Sequence, residues 1–184
     1  MNSELLIQKL QTEIDKQKEL LQTKLYPISE EQLNYKSSPE SWSILECLAH
    51  LNSYSAHYLP CFEKAMQEAE SKGFKPEKEF YSTWLGRFSI QSVLPENINK
   101  KMKAVKKHNH LNSQLSKNEI KQFEDNLNRL STILEKSNRI SLNKTKVRIE
   151  VMPVFKLRLG DIFQFMVYHQ SRHLLQATNL LQKM

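Results

Sequence analysis

Glycine and cysteine are scarce in this chain: three glycines and two cysteines in 184 residues. So little glycine argues against an all-β or loop-dominated design, whose turns need backbone conformations that glycine supplies. The cysteines, Cys47 and Cys61, fall fourteen positions apart in one predicted helix, roughly 21 Å at about 1.5 Å per residue. A disulfide needs α-carbons within about 7 Å, so the two do not bridge there and read as buried or idle thiols. Also missing are an apolar run of bilayer length and, at Met1-Asn2-Ser3-Glu4-Leu5-Leu6, a basic start leading into a sustained apolar stretch. No membrane partner is expected, and the cytoplasm is the default location.

What is present is an ordinary core-forming composition, 39% hydrophobic and 26% charged, in a length that suits one domain over residues 1–184. The net charge of +7 is partly concentrated in Asn99–His108, with five lysines in eight positions. This run reads as a solvated connecting loop rather than a phosphate-binding patch. No arginine cluster, recognition-helix signature or RNP-like aromatic motif accompanies it, so nucleic acid is not expected as a partner.

Apolar spacing predicts four long helices. The first covers Ser3 to about Lys24, with Leu5, Leu6, Ile7, Leu10, Ile14, Leu20 and Leu21, and stops before Pro27. After a short turn opened by Ser29-Glu30-Glu31-Gln32, a second capping box at Ser43-Ile44-Leu45-Glu46 starts a helix to about Ser71, with Gly73 beyond it. A third box, Ser116-Lys117-Asn118-Glu119, opens a helix to about Ser137, and Asp161 is placed to cap the last one.

Between the second and third long helices lies an insertion from Gly73 to Leu115. A short helix is expected near Tyr81–Gln91, with Phe74, Phe80, Tyr81, Trp84 and Phe88 folding the segment over the bundle. From Asn138 to Leu159 the chain reads as a long crossover, with an extended stretch at Val147–Val151 before Pro153. The expected fold is all-α, a four-helix bundle with a long insertion.

On the last helix Ile162, Met166, His169, His173, Ala177 and Leu180 recur at spacings of four, three, four, four and three. His169 and His173 therefore share the core-facing stripe, close enough for both imidazoles to reach one ion. Alone, the pair fits two buried fillers as well as it fits a metal grip, since it lacks the glutamate of the H-E-x-x-H motif. His50 on the second long helix adds a third nitrogen from a different element. Three neutral imidazoles leave a coordination position open, as in catalytic rather than closed structural zinc sites. His57, seven residues after His50, is about 10.5 Å further along that helix and is left out of the site.

Trp42-Ser43, Glu46, Leu48, His50 and Leu51, followed late in the chain by His169, Arg172, His173 and Gln176, resemble the paired motifs of the DinB/YfiT-like superfamily of bacterial four-helix proteins. The looser stretches Trp84–Arg87 and Lys156–Asp161 also look like that family. The resemblance implies a divalent metal, zinc or nickel foremost, held by His50, His169 and His173. It further implies thiol S-transfer with a low-molecular-weight thiol of the bacillithiol kind, or hydrolase-like chemistry, on a small electrophile. The alternative is a non-catalytic metal or small-molecule binding protein of stress response. The ligands alone choose neither the reaction nor whether there is one. Gln176 is expected behind His173, Arg172 in an ion pair or cap contact, and Trp42 as packing at the helix start. The expected partners are a small-molecule substrate and, since bundles of this kind often pair, a second copy of the chain.

Overall fold

The structure is a computed structural model describing residues 1–98, 105–150 and 152–183. Helix α1 (Ser3–Leu20) starts on Asn2, whose side chain accepts from the Leu5 amide, and continues as a π-helical turn to Leu25. Its buried row of Leu6, Leu10, Ile14, Gln17, Leu21 and Leu25 keeps one face to the core and leaves Leu5 in solvent. Helix α2 (Glu30–Leu33) is a single turn, and α3 spans Ile44–Ser71. Both close the reciprocal capping boxes that Ser29/Gln32 and Ser43/Glu46 predict. Gly73 terminates α3 with φ +67°, a left-handed conformation that its missing Cβ permits.

Helix α4 (Trp84–Val93) is the short helix of the insertion. It starts at Trp84 because Thr83 caps it through the Gly86 amide. The expectation that aromatics fold the insertion down holds fully only for Phe80; Tyr81, Trp84 and Phe88 are each more than 60% exposed. Ile90 and Val93 seat α4 instead. Helix α5 (Asn118–Ser137) forms without the expected capping box, since no side chain caps it. The Glu119 carboxylate accepts from Asn52 Nδ2 of α3 at 2.8 Å rather than turning back to its own helix start.

The segment read as a crossover is a hairpin. Strand β1 (Lys146–Ile149) pairs antiparallel with β2 (Met152–Arg158), Val147 opposite Leu157, with an irregularity after Arg148. Pro153 is tolerated because each strand of a two-stranded sheet has a free edge. Val151 of the expected extended stretch lies outside the described residues, as do Asn99–Ala104 of the lysine run.

Helix α6 (Leu159–Leu181) begins two residues before Asp161, which is therefore not its N-cap. Asp161 is fully buried and accepts from Ser82 Oγ at 2.5 Å, the Thr83 amide at 3.1 Å and Thr83 Oγ1 at 3.0 Å, tying the start of α4 to α6. Gly86 is required at this crossing, because a Cβ there would collide with the Asp161 carboxylate.

Helices α1 and α3 each pack on both α5 and α6. The consecutive long helices α1 and α3 thus face each other across the diagonal of a four-helix bundle, with α4 and the hairpin laid against α6. Phe62 of α3 meets Phe163 of α6 edge to face at 5.0 Å, both fully buried. Truncating either to alanine costs about 3–5 kcal/mol. The fold is all-α apart from the small hairpin, and among the described residues no helix is long and apolar enough to cross a membrane.

Candidate metal centre

Packing of α3 against α6 brings His50 edge-on to His169 and His173. His50 Nε2 lies 3.2 Å from His169 Nε2, which lies 3.1 Å from His173 Nε2. One nitrogen from each ring falls within 4.8 Å of the others. His50 and His169 are buried and His173 is half-buried, so the group reaches solvent on the His173 side. His57 stays apart, its Nδ1 at 3.4 Å from Glu150 Oε1.

The hydrogen bonds behind the rings determine what faces the centre. A carbonyl can only accept, so the 2.8 Å contact between His50 Nδ1 and the His108 carbonyl places the proton on Nδ1 and leaves the Nε2 lone pair pointing inward. His173 Nδ1 sits 3.1 Å from Gln176 Oε1 with the same result, and Gln176 stands behind His173 as its spacing predicts. His169 Nδ1 is buried with no hydrogen-bond partner.

Burial holds all three imidazoles neutral: it lowers His50 to about 4 against the support of the His108 carbonyl, and His173 to about 3. His169 is pushed well below its ordinary value by burial and by its two neighbours. Neutral imidazole is the form that ligates metals. The lone pairs of His50 and His173 both face His169 Nε2, and a single cation would take one nitrogen from each ring. Tetrahedral zinc with bonds of about 2.0–2.1 Å separates its ligand nitrogens by about 3.3 Å, close to the two spacings observed. The donor set therefore fits a borderline divalent cation.

Aromatic rings wall the centre. Trp42 stacks on His173 at 5.7 Å and lies 4.7 Å from His50 between ring centroids, so it covers the imidazoles as well as packing the start of α3. Phe165 stacks on His169 at 5.5 Å, and Tyr54 lies 4.7 Å from His169. Burial raises the Tyr54 hydroxyl to about 12, so it stays protonated beside the site. Arg172 turns away, its guanidinium reaching the Leu94 and Ile98 carbonyls at 3.4 Å, which is the expected cap contact. Cys47 is buried, with its thiol pushed up by desolvation, and Cys61 is half-buried; neither belongs to the histidine group.

The residues that sequence reasoning missed lie behind His50. His108 is fully buried; its Nε2 is 2.7 Å from Glu150 Oε2 and its Nδ1 2.8 Å from Ser53 Oγ. Lys107 of the lysine run pairs with Glu150 at 2.6 Å. No periodicity marks His108, because its partners are 42 and 55 positions away. The one local signal was Glu150, a carboxylate closing the alternating stretch Val147-Arg148-Ile149.

Among solved structures, the chain is similar to YfiT from Bacillus subtilis, described as a probable metal-dependent hydrolase with an unusual four-helix bundle topology. The two share 14% identity over 99% of this chain and 87% of the other, with a TM-score of 0.54, a likeness of fold. No curated protein matches the sequence. The profile of the DinB superfamily matches residues 13–177, nearly the whole bundle and all three histidines; the chain belongs to the DinB superfamily.

Proposed function

We propose that His50, His169 and His173 bind one divalent cation, of the zinc or nickel type, and that the protein is a metal-dependent enzyme acting on a small electrophile. The observation that carries this is the convergence of three neutral imidazoles, two of them buried, with the tautomers of His50 and His173 fixed from behind. A cation held by three nitrogens keeps a position for a water or a thiol and lowers the pKa of whichever binds there. Hydrolysis and transfer of a low-molecular-weight thiol share that requirement. The description of YfiT as a probable hydrolase supports the first. This chain's own contribution is an aromatic wall of Trp42, Tyr54 and Phe165, which suits an apolar substrate portion and excludes bulk water.

One observation favours a second reading, a non-catalytic metal or small-molecule binding protein of stress response. Among the described residues no carboxylate joins the histidine group, and Glu150 is turned toward His108. A panel of activated esters and amides, and of electrophiles with added thiol, separates the two. Turnover that follows metal loading and vanishes in His169→Ala supports the enzyme. Stoichiometric metal with no rate above background across the panel supports the binding protein.

A further inference from the structure

The acceptor that fixes His50 is not a side chain on a helix but a backbone carbonyl in the insertion. A carbonyl is only as well placed as the residue carrying it, so what anchors His108 decides how His50 is aimed. Its ring is held at both nitrogens, by Glu150 and by Ser53, and packs on Tyr54 at 4.1 Å. Ser53 Oγ lies also 2.8 Å from the His50 carbonyl, so α3 supports the anchor and the ligand together. Glu150 is in turn fixed from three directions: Lys107 Nζ at 2.6 Å, the Tyr58 hydroxyl accepting from its amide at 3.2 Å, and His57 at 3.4 Å. The insertion, α3 and the end of β1 meet in one polar knot immediately behind His50.

We infer that Glu150 and His108 are positioning residues, a clasp through which the insertion and the hairpin set the tautomer and orientation of His50 and thereby the affinity of the histidine centre for metal. The effect on affinity rests on the reading of His50 as a metal ligand; the effect on the His50 ring does not. A carboxylate accepting from a histidine usually backs a metal ligand directly. Here it backs His108, whose main chain passes the constraint on to His50. The segment that supplies His108 thus belongs to the site, although among the described residues none of its side chains joins the histidine group.

Nitrogen-15 NMR of the metal-free protein and cobalt(II) titration test this together, on the wild type, Glu150→Ala, Glu150→Gln and Ser53→Ala. Asp161→Asn is the control, a buried polar substitution about 12 Å along α6 from His169. The wild-type His50 is expected as the Nδ1–H tautomer. In Glu150→Ala the Nε2–H form gains population, cobalt affinity falls about 10- to 100-fold, and the cobalt absorption spectrum changes shape. Glu150→Gln keeps an oxygen for His108 Nε2–H and restores the wild-type tautomer with affinity within a few-fold. Ser53→Ala, which removes little volume, shifts the tautomer less, and Asp161→Asn lowers the melting temperature without touching tautomer or affinity. If Glu150→Ala melts earlier but keeps the His50 tautomer and binds cobalt within twofold of wild type, the knot is purely structural and the inference falls. A tautomer that responds to Glu150 in a protein that takes up no cobalt upholds the clasp and refutes the metal reading.

Discussion

Helix α6 carries two buried polar clusters of opposite character. At its start Asp161 accepts three hydrogen bonds from Ser82 and Thr83, so the donors and the acceptor match. Further along, His50 and His173 both turn acceptor nitrogens toward His169 Nε2, and His169 Nδ1 has no partner. The first cluster is complete as protein. The second leaves a buried nitrogen unmatched, and the proposed cation would complete the cluster as a ligand set. Burial alone does not mark a functional site; a mismatch between donors and acceptors does.

Substitutions should separate the two clusters sharply. Asp161→Ala removes the acceptor of the half-buried Thr83 amide and of two hydroxyls and loosens α4, with an expected loss of about 3 kcal/mol in urea unfolding; a loss below about 1 kcal/mol would mean that α4 is held by its aliphatic contacts alone. Acid should act on the other cluster. The histidines are neutral in the folded state down to about pH 4 for His50 and about pH 3 for His173, while the unfolded chain takes up protons near pH 6.5. The unfolded state then binds more protons, so stability of the metal-free protein is constant above about pH 6.5 and falls as pH drops toward 4. His50 contributes on the order of 3 kcal/mol to that fall. Unfolding curves at pH 7.5 and pH 4.5 check the sign, and equal midpoints would contradict the burial described.

Smaller effects refine the contrast. Gln176→Ala frees His173 Nδ1 and should weaken zinc binding about tenfold, close to 1.4 kcal/mol, with little change in metal-free stability. His169→Leu should leave metal-free stability unchanged or raise it by about 1 kcal/mol, because it replaces a buried imidazole whose Nδ1 has no partner with an apolar side chain. A marked destabilisation by His169→Leu would show that the histidine cluster is structural after all.

Much of this was legible in the sequence, and the boundary has a physical origin. Local chemistry read correctly: the capping boxes at Ser29 and Ser43, the terminator Gly73 and the stripe carrying His169 and His173 depend on residues within a few positions of each other. Asp161 and Glu119 misread because each had a local cap geometry available and a better distant partner, Ser82 and Thr83 in one case and Asn52 in the other. The hairpin was half seen, since Pro153 breaks the alternation of β2 while a free edge tolerates it. His108 was invisible because its role is carried by a main-chain carbonyl, which no side-chain pattern encodes.

The most direct test of the account is metal content. Protein freed of metal, titrated with zinc or nickel and analysed after exhaustive dialysis, is predicted to retain one equivalent in the wild type and none in His169→Ala, with the fold of the variant intact by circular dichroism. Wild-type protein that retains no ion, or a His50→Ala/His169→Ala double variant that still retains one, would contradict it.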